Sequence, residues 1–188
     1  MEQKQLNRGE LLVIGIGGMG IVTLGDIVAR TALRQYKHVA WFPCYAAMMR
    51  GGESECCVTF SSEEISSPLI YRSEVVMAMG VRRVEAFENR VRPGGLMLLE
   101  ATGMKEGYQP SREDITMGSI PALEAAKQLG DMRNANLVML GAYIEITKAL
   151  PSELVLEEIE KRFGGKGRGT KVVTAKEAFM KGMSLVAK

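Results

Sequence analysis

Two glycine-rich motifs have the residue types and spacing best suited to binding chemistry. The first, Gly15-Ile16-Gly17-Gly18-Met19-Gly20, has the spacing G-x-G-x-x-G, which permits a tight turn, a close approach to a ligand and N–H groups that point at it. The second, Arg50-Gly51-Gly52-Glu53-Ser54, places a guanidinium and a hydroxyl beside two glycine amides. Such a set suits an anionic group or the loop of a partner protein.

Each motif also has a plainer interpretation. The first is compatible with a structural turn, and the second with a helix that ends at Gly51 while Arg50 pairs with a carboxylate. An NAD site would further need an acid at the end of the second strand, where this chain has Pro43-Cys44-Tyr45 and no acid before Glu53. Because no Gly-Lys-Ser/Thr follows the first motif, a nucleotide-hydrolysing P-loop is disfavoured as well.

Residue types that catalysis or metal binding would need are scarce. The single histidine, His38, begins an apparent strand, where a structural role at the strand edge is favoured. Cys44, Cys56 and Cys57 match none of the spacings of zinc or iron–sulfur sites, since adjacent thiols on a strand point to opposite faces. We therefore predict no catalytic residue and no metal ligand on this chain.

Composition places the chain among soluble globular proteins. Its 188 residues predict a single domain over 1–188, and its 46% hydrophobic and 24% charged residues are ordinary. A net charge of +2 indicates no surface for nucleic acid. No apolar run approaches the ~18 residues of a membrane span, the N-terminus lacks a signal-peptide core, and three cysteines do not suggest a disulfide framework. We expect a cytoplasmic protein that contacts no membrane.

The elements that must position the motifs alternate between strand and helix. Buried strands are predicted at 10–14, 39–42 (closed by Pro43), 55–60, 75–79 and 96–99. Helices are predicted at 20–35, 81–91, 121–129, 135–150, 152–163 (capped by Ser152) and 171–186, with a turn at 92–95. This order predicts an α/β fold, a three-layer α/β/α sandwich whose mostly parallel central sheet admits a mixed edge, with a helical C-terminal part.

The two motifs in this order resemble the gamma subunit of 2-oxoacid:ferredoxin oxidoreductases, the family of pyruvate, 2-oxoglutarate and branched-chain 2-oxoacid (ketoisovalerate) enzymes. The similarity comprises a Gly-Gly-x-Gly turn, a Pro-x-Tyr segment after the second strand, and then Arg-Gly-Gly-x-Ser, the most specific element. It extends over nearly the whole chain. Two departures stand out: Met19 occupies a place that usually holds Gln, and Ala46-Ala47-Met48-Met49 replaces a Gly and a Glu found in many members.

The resemblance implies the oxidative decarboxylation of a 2-oxoacid to an acyl-CoA, with electrons passed to ferredoxin, in a complex of anaerobic metabolism. It implies that this chain is an auxiliary, non-catalytic subunit that docks onto alpha and beta thiamine-binding subunits and a ferredoxin-like subunit. Thiamine diphosphate, Mg²⁺ and [4Fe–4S] clusters would belong to those partners.

For coenzyme A or a partner's loop, the resemblance implies a set of contact residues from both motifs: Gly17, Gly18, Met19, Gly20, Arg50, Gly51, Gly52, Glu53 and Ser54. Two alternatives remain open, a free-standing NAD(P)-dependent oxidoreductase that uses the first loop and an assembly scaffold without any ligand contact. The 2-oxoacid is left unassigned.

Overall fold

The computed structural model describes residues 7–44, 53–80, 83–102, 108–165 and 169–187. Within these ranges six strands form one sheet: β1 Arg8–Ile16, β2 His38–Cys44, β3 Glu53–Ser61, β4 Ser73–Met79, β5 Val91–Glu100 and β6 Thr116–Ile120. The same ranges contain five α-helices: α1 Ile21–Ala32, α2 Ala122–Gln128, α3 Ala135–Thr147, α4 Ser152–Phe163 and α5 Gly169–Val186. Two 3₁₀ helices cover Val84–Arg90 and Met132–Asn134.

The sheet is mixed, with the strand order β2-β3-β1-β4-β5-β6. β1, β4, β5 and β6 are parallel neighbours, whereas β3 is antiparallel to both β1 and β2. The chain therefore leaves β1 through α1, forms β2 at one edge of the sheet, and returns as β3 between them. The predicted α/β fold with a mixed sheet is confirmed.

Both faces of the central strand β1 are buried, which explains its unbroken apolar sequence. Leu11 and Val13 point into a core shared with all five α-helices, while Leu12 and Ile14 point into a core on the other face. That second core is closed by residues of the 3₁₀ helix Val84–Arg90 and by Ile115. None of the described helices is long and apolar enough to cross a membrane.

Three expectations about strands need correction. Pro43 does not close the second strand, because β2 continues to Cys44; an edge strand tolerates proline, since one of its sides has no hydrogen-bonding neighbour. The turn at 92–95 is an irregularity inside β5, where Gly94 has φ 76°. β6 was not predicted, and its sequence, Thr-Met-Gly-Ser-Ile, lacks the apolar run that marked the other strands.

Two expectations about helices also differ from the structure. The segment expected as an α-helix at 81–91 forms the 3₁₀ helix Val84–Arg90, in which residues three apart lie on one side, so that Val84 and Phe87 are buried together. Ser152 is not the cap of α4 but its first helical residue; Pro151 precedes it and no side chain caps the helix.

Candidate functional site

The first glycine motif forms the turn from β1 into α1, at the carboxyl ends of the parallel strands. Gly18 and Gly20 have φ angles of 101° and 73°, in the left-handed region that favours glycine. Gly20 is the N-cap of α1 and supplies no side-chain cap, and the first turn of α1 contains no acidic residue. The N–H groups at the start of this helix therefore favour an anionic ligand.

The antiparallel strand β3 brings the end of the second motif beside the first. In the register of β1 and β3, Ile16 pairs with Glu53 and Gly15 pairs with Ser54. Glu53 begins β3, and Ser54 is half-buried. Arg50, Gly51 and Gly52 lie outside the described residues.

An open groove of about 600 Å³ lies beside the glycine loop. Its walls come from α1, from the turn between α2 and α3, and from the start of α5. The groove-lining residues that offer polar groups include Gly18, Gly20, Thr23, Arg133, Asn136 and Lys171. The groove thus combines loop and helix N–H groups with two cationic side chains.

Asp131 holds the guanidinium of Arg133 at this groove. The Nε and Nη2 atoms of Arg133 donate to the two carboxylate oxygens of Asp131, each over 2.8 Å. These bonds hold the pKa of Asp131 below its usual range, and the charge of Lys171 acts in the same direction. The side chain of Arg133 is nevertheless 81% exposed, so its remaining N–H groups are accessible to a ligand.

A smaller, largely apolar groove of about 180 Å³ lies beside the same loop. It is lined by Met19, Leu123, Met132 and Ala135, and it shares Gly18 and Arg133 with the larger groove. The two grooves therefore meet at Gly18.

Met19 lies closely over Gly80 at the end of β4. A Cβ atom built at Gly80 would be 2.5 Å from the Met19 sulfur, so glycine at position 80 makes room for this side chain. Met19, the residue that departs from the resembling family, contributes an apolar wall rather than a hydrogen-bonding group.

Asn136, in the first turn of α3, connects that helix to the glycine loop. Its Nδ2 atom donates a hydrogen bond of 3.0 Å to the carbonyl oxygen of Gly20. The side chain is nearly fully buried, with 4% of its surface exposed.

Sequence reasoning missed Arg133, Asn136 and Lys171 as site residues. Each lies on a helix or turn far along the chain from the glycine motifs, and no local spacing links them to residues 15–20. The polar residues between α2 and α3 were the one available signal.

The cysteines and the histidine lie apart from these grooves. Cys56 and Cys57 point into the cores on opposite faces of the sheet, as predicted. Cys44 is exposed at the end of β2, and His38 begins that strand. Among the residues that the structure describes, no three His, Cys, Asp or Glu side chains are grouped to hold a metal ion.

Residues 10–185 match the sequence model of the pyruvate ferredoxin/flavodoxin oxidoreductase family. The chain belongs to this family. The resemblance inferred from the two glycine motifs is thereby confirmed. Because the match begins in β1 and ends in α5, it includes every strand and helix that forms the two grooves.

Similar proteins include both longer chains and chains of comparable length. The ketoisovalerate oxidoreductase subunit VorA of Methanothermobacter thermautotrophicus is 34% identical over 82% of this chain and 32% of its own length. The pyruvate/ketoisovalerate oxidoreductases common subunit gamma of Thermococcus kodakarensis is 24% identical over 92% of this chain and 96% of its own.

Among solved structures, the 2-oxoglutarate:ferredoxin oxidoreductase of Magnetococcus marinus, with 2-oxoglutarate, coenzyme A and succinyl-CoA bound, superposes with a TM-score of 0.85. It is 26% identical, and the match covers 96% of this chain and 31% of that one. This chain therefore spans about a third of the length of VorA and of the Magnetococcus enzyme.

Proposed function

We propose that this chain is the gamma-type subunit or domain of a 2-oxoacid:ferredoxin oxidoreductase, and that it contributes to assembly and binds coenzyme A at the glycine loop. The observation that carries the proposal is the meeting of two grooves at Gly18, one with cationic side chains and helix N–H groups, the other apolar. The family membership and the enzyme names of its relatives support the reaction class.

Coenzyme A has the chemistry that this pair of grooves would accept. Its nucleotide end carries several phosphates, which suit the start of α1 together with Arg133 and Lys171. Its pantetheine arm is a long chain that is less polar than the nucleotide end, which suits the groove lined by Met19, Leu123 and Met132. Bound coenzyme A would supply the thiol that accepts the acyl group, while the residues of this chain hold and orient it.

The second motif would extend the same site. Glu53 and Ser54 adjoin the glycine loop through the pairing of β1 and β3, and Arg50-Gly51-Gly52 directly precedes them in the chain. In this proposal the arginine and the glycine amides contact a coenzyme A phosphate or a loop of a partner subunit.

The remaining cofactors are assigned to partner subunits in this proposal. Thiamine diphosphate and Mg²⁺ would be bound by the alpha and beta subunits, and [4Fe–4S] clusters by a ferredoxin-like subunit that passes electrons to ferredoxin. We likewise propose a cytoplasmic location and a single domain.

Reconstitution with the partner subunits tests the proposed function. The complex should reduce viologen in a reaction that requires both a 2-oxoacid and coenzyme A, and omission of this chain should abolish the reaction. Unchanged activity without this chain would contradict the proposal.

Ligand titrations of the purified chain separate the proposal from its alternatives. Coenzyme A should bind, whereas NADH should leave the fluorescence of Trp41, the single tryptophan, unchanged at micromolar concentrations. Micromolar binding of NADH would favour a free-standing oxidoreductase. A complex that assembles and turns over normally with Arg50→Ala and Arg133→Ala together would favour a scaffold without ligand contact.

A further inference from the structure

The contact between Asn136 and Gly20 joins two parts of the chain that are 116 residues apart. The carbonyl oxygen of Gly20 also accepts the first helical hydrogen bond of α1, from the N–H of Leu24 over 3.0 Å. Asn136 therefore binds the same oxygen that starts the helix. Since Gly20 supplies no side-chain cap, the Asn136 amide fixes the loop at the point where α1 begins.

The contact is close enough to restrict both residues. A Cβ atom at Gly20 would lie 2.6 Å from the Nδ2 atom of Asn136, a distance that side-chain carbons do not adopt. The left-handed backbone of Gly20, with φ 73°, would disfavour a side chain in any case. Glycine at position 20 thus permits the approach of the amide, and the amide in turn holds the glycine carbonyl.

α3 gives Asn136 a fixed position. Every residue from Ala135 to Ile144 is buried, and α3 packs on α5 through direct contacts at Gly141 and Gly182. The start of α5 carries Lys171 into the larger groove. The glycine loop and Lys171 are therefore both held in place by α3.

We propose that Asn136 is a positioning residue for anion binding at the glycine loop. By holding the Gly20 carbonyl, it orients the N–H groups at the start of α1 toward the larger groove. The position of these N–H groups relative to Lys171 is thereby fixed. It acts through the loop backbone, and it need not touch the ligand. This inference rests on the proposed binding of coenzyme A at the same groove.

The test compares Asn136→Ala with the unmodified chain in the reconstituted complex. Loss of a buried hydrogen bond that orients the loop should raise the KM for coenzyme A about tenfold. The kcat at saturating coenzyme A should stay within about twofold, because the chemistry takes place on partner subunits. A purely structural role would instead lower the amount of folded complex and leave the KM unchanged.

Hydrogen exchange supplies a second readout. The N–H of Leu24, which donates to the Gly20 carbonyl, should exchange faster in the variant, because the loop that orders the start of α1 has lost its anchor. Asn136→Leu, which removes the donor but keeps most of the side-chain volume, covers the case in which the alanine variant does not fold. Asn89→Ala is the matched control, since Asn89 is exposed on the 3₁₀ helix Val84–Arg90.

The outcomes distinguish this inference from the function on which it rests. If Lys171→Gln and Arg133→Gln weaken coenzyme A binding but neither Asn136 variant does, the positioning role is wrong and the binding site stands. If none of these variants changes the KM for coenzyme A, both proposals are wrong.

Discussion

Gly182 of α5 lies directly against the backbone of Val138 in α3: a Cβ atom at position 182 would be 1.9 Å from the Val138 carbonyl oxygen. A reciprocal contact exists at Gly141 of α3, where a Cβ atom would be 2.0 Å from the carbonyl oxygen of Phe179. These two glycines let the helix backbones touch. The start of α5, with Lys171, depends on this packing for its position at the larger groove.

Gly182→Ala should destabilise the chain by about 1–3 kcal/mol or more, because a methyl group would meet backbone that cannot rotate away. Gly169→Ala is the matched control at the start of α5, where a Cβ atom would meet nothing within 4 Å; it should be neutral or stabilise by up to about 1 kcal/mol. Thermal and urea unfolding measure both. Equal stability of the two variants would contradict the packing described for α3 and α5.

Glu88→Gln should destabilise the chain by about 1–3 kcal/mol at pH 7. The buried carboxylate of Glu88 accepts hydrogen bonds from the Tyr108 hydroxyl and from the N–H and hydroxyl of Ser111, which hold the 108–111 segment over the sheet. Burial alone would raise the pKa of Glu88, but these bonds and the nearby Arg112 outweigh it and lower the pKa.

A lowered pKa in the folded state makes the contribution of Glu88 pH-dependent. Its stabilising effect is present above the pKa of an unfolded glutamate, roughly 4.3, and is lost as the pH falls below that value through the folded pKa. The stability difference between the unmodified chain and Glu88→Gln should therefore shrink between pH 5 and the acid limit of folding. Urea unfolding across this range, with exposed Glu85→Gln as the control, checks the prediction; a constant difference would contradict it.

Lys171→Gln and Arg133→Gln should each raise the KM for coenzyme A about fivefold at low salt, because each removes an exposed positive charge from the larger groove. The effect should diminish as ionic strength rises, because salt screens exposed charges. Initial rates of the reconstituted complex at two salt concentrations measure it. Lys127→Gln is the control, because Lys127 is exposed on α2 and does not line either groove; it should leave the KM unchanged. If the KM increases caused by Lys171→Gln and Arg133→Gln do not depend on salt, a phosphate ligand is contradicted.

The three cysteines should differ in reactivity in the purified chain. Burial raises the pKa of Cys56 to about 12, although the indole N–H of Trp41 donates to its sulfur over 3.1 Å and acts in the opposite direction. Burial also raises the pKa of Cys57, whereas Cys44 is exposed. Because the thiolate is the reactive form, iodoacetamide at pH 8 should label Cys44 alone.

Mass mapping of the labelled chain checks this expectation. All three cysteines should react in urea, and Cys44→Ser should leave the folded chain unlabelled. Labelling of Cys56 in the folded chain would contradict the burial that the structure assigns to it.

The sequence by itself determined the elements whose pattern is local. β1 contains a continuous apolar run, Leu11–Ile14, followed by a glycine, and the buried positions of α1 recur at three- and four-residue spacing, from Leu24 through Ile27, Val28 and Thr31. Such periodicity follows from backbone geometry alone. The glycine motifs also carried the family resemblance, because their spacing is a property of neighbouring residues.

The tertiary structure alone decided which distant residues meet. The antiparallel pairing of Ile16 with Glu53 joins the two motifs, and the packing of α3 and α5 brings Asn136 and Lys171 to the glycine loop. Such contacts depend on how whole apolar faces fit together, and a sequence pattern of a few residues contains no record of that fit. For the same reason, the role of Gly141 and Gly182 is evident only in the tertiary structure, where they allow the backbones of α3 and α5 to touch.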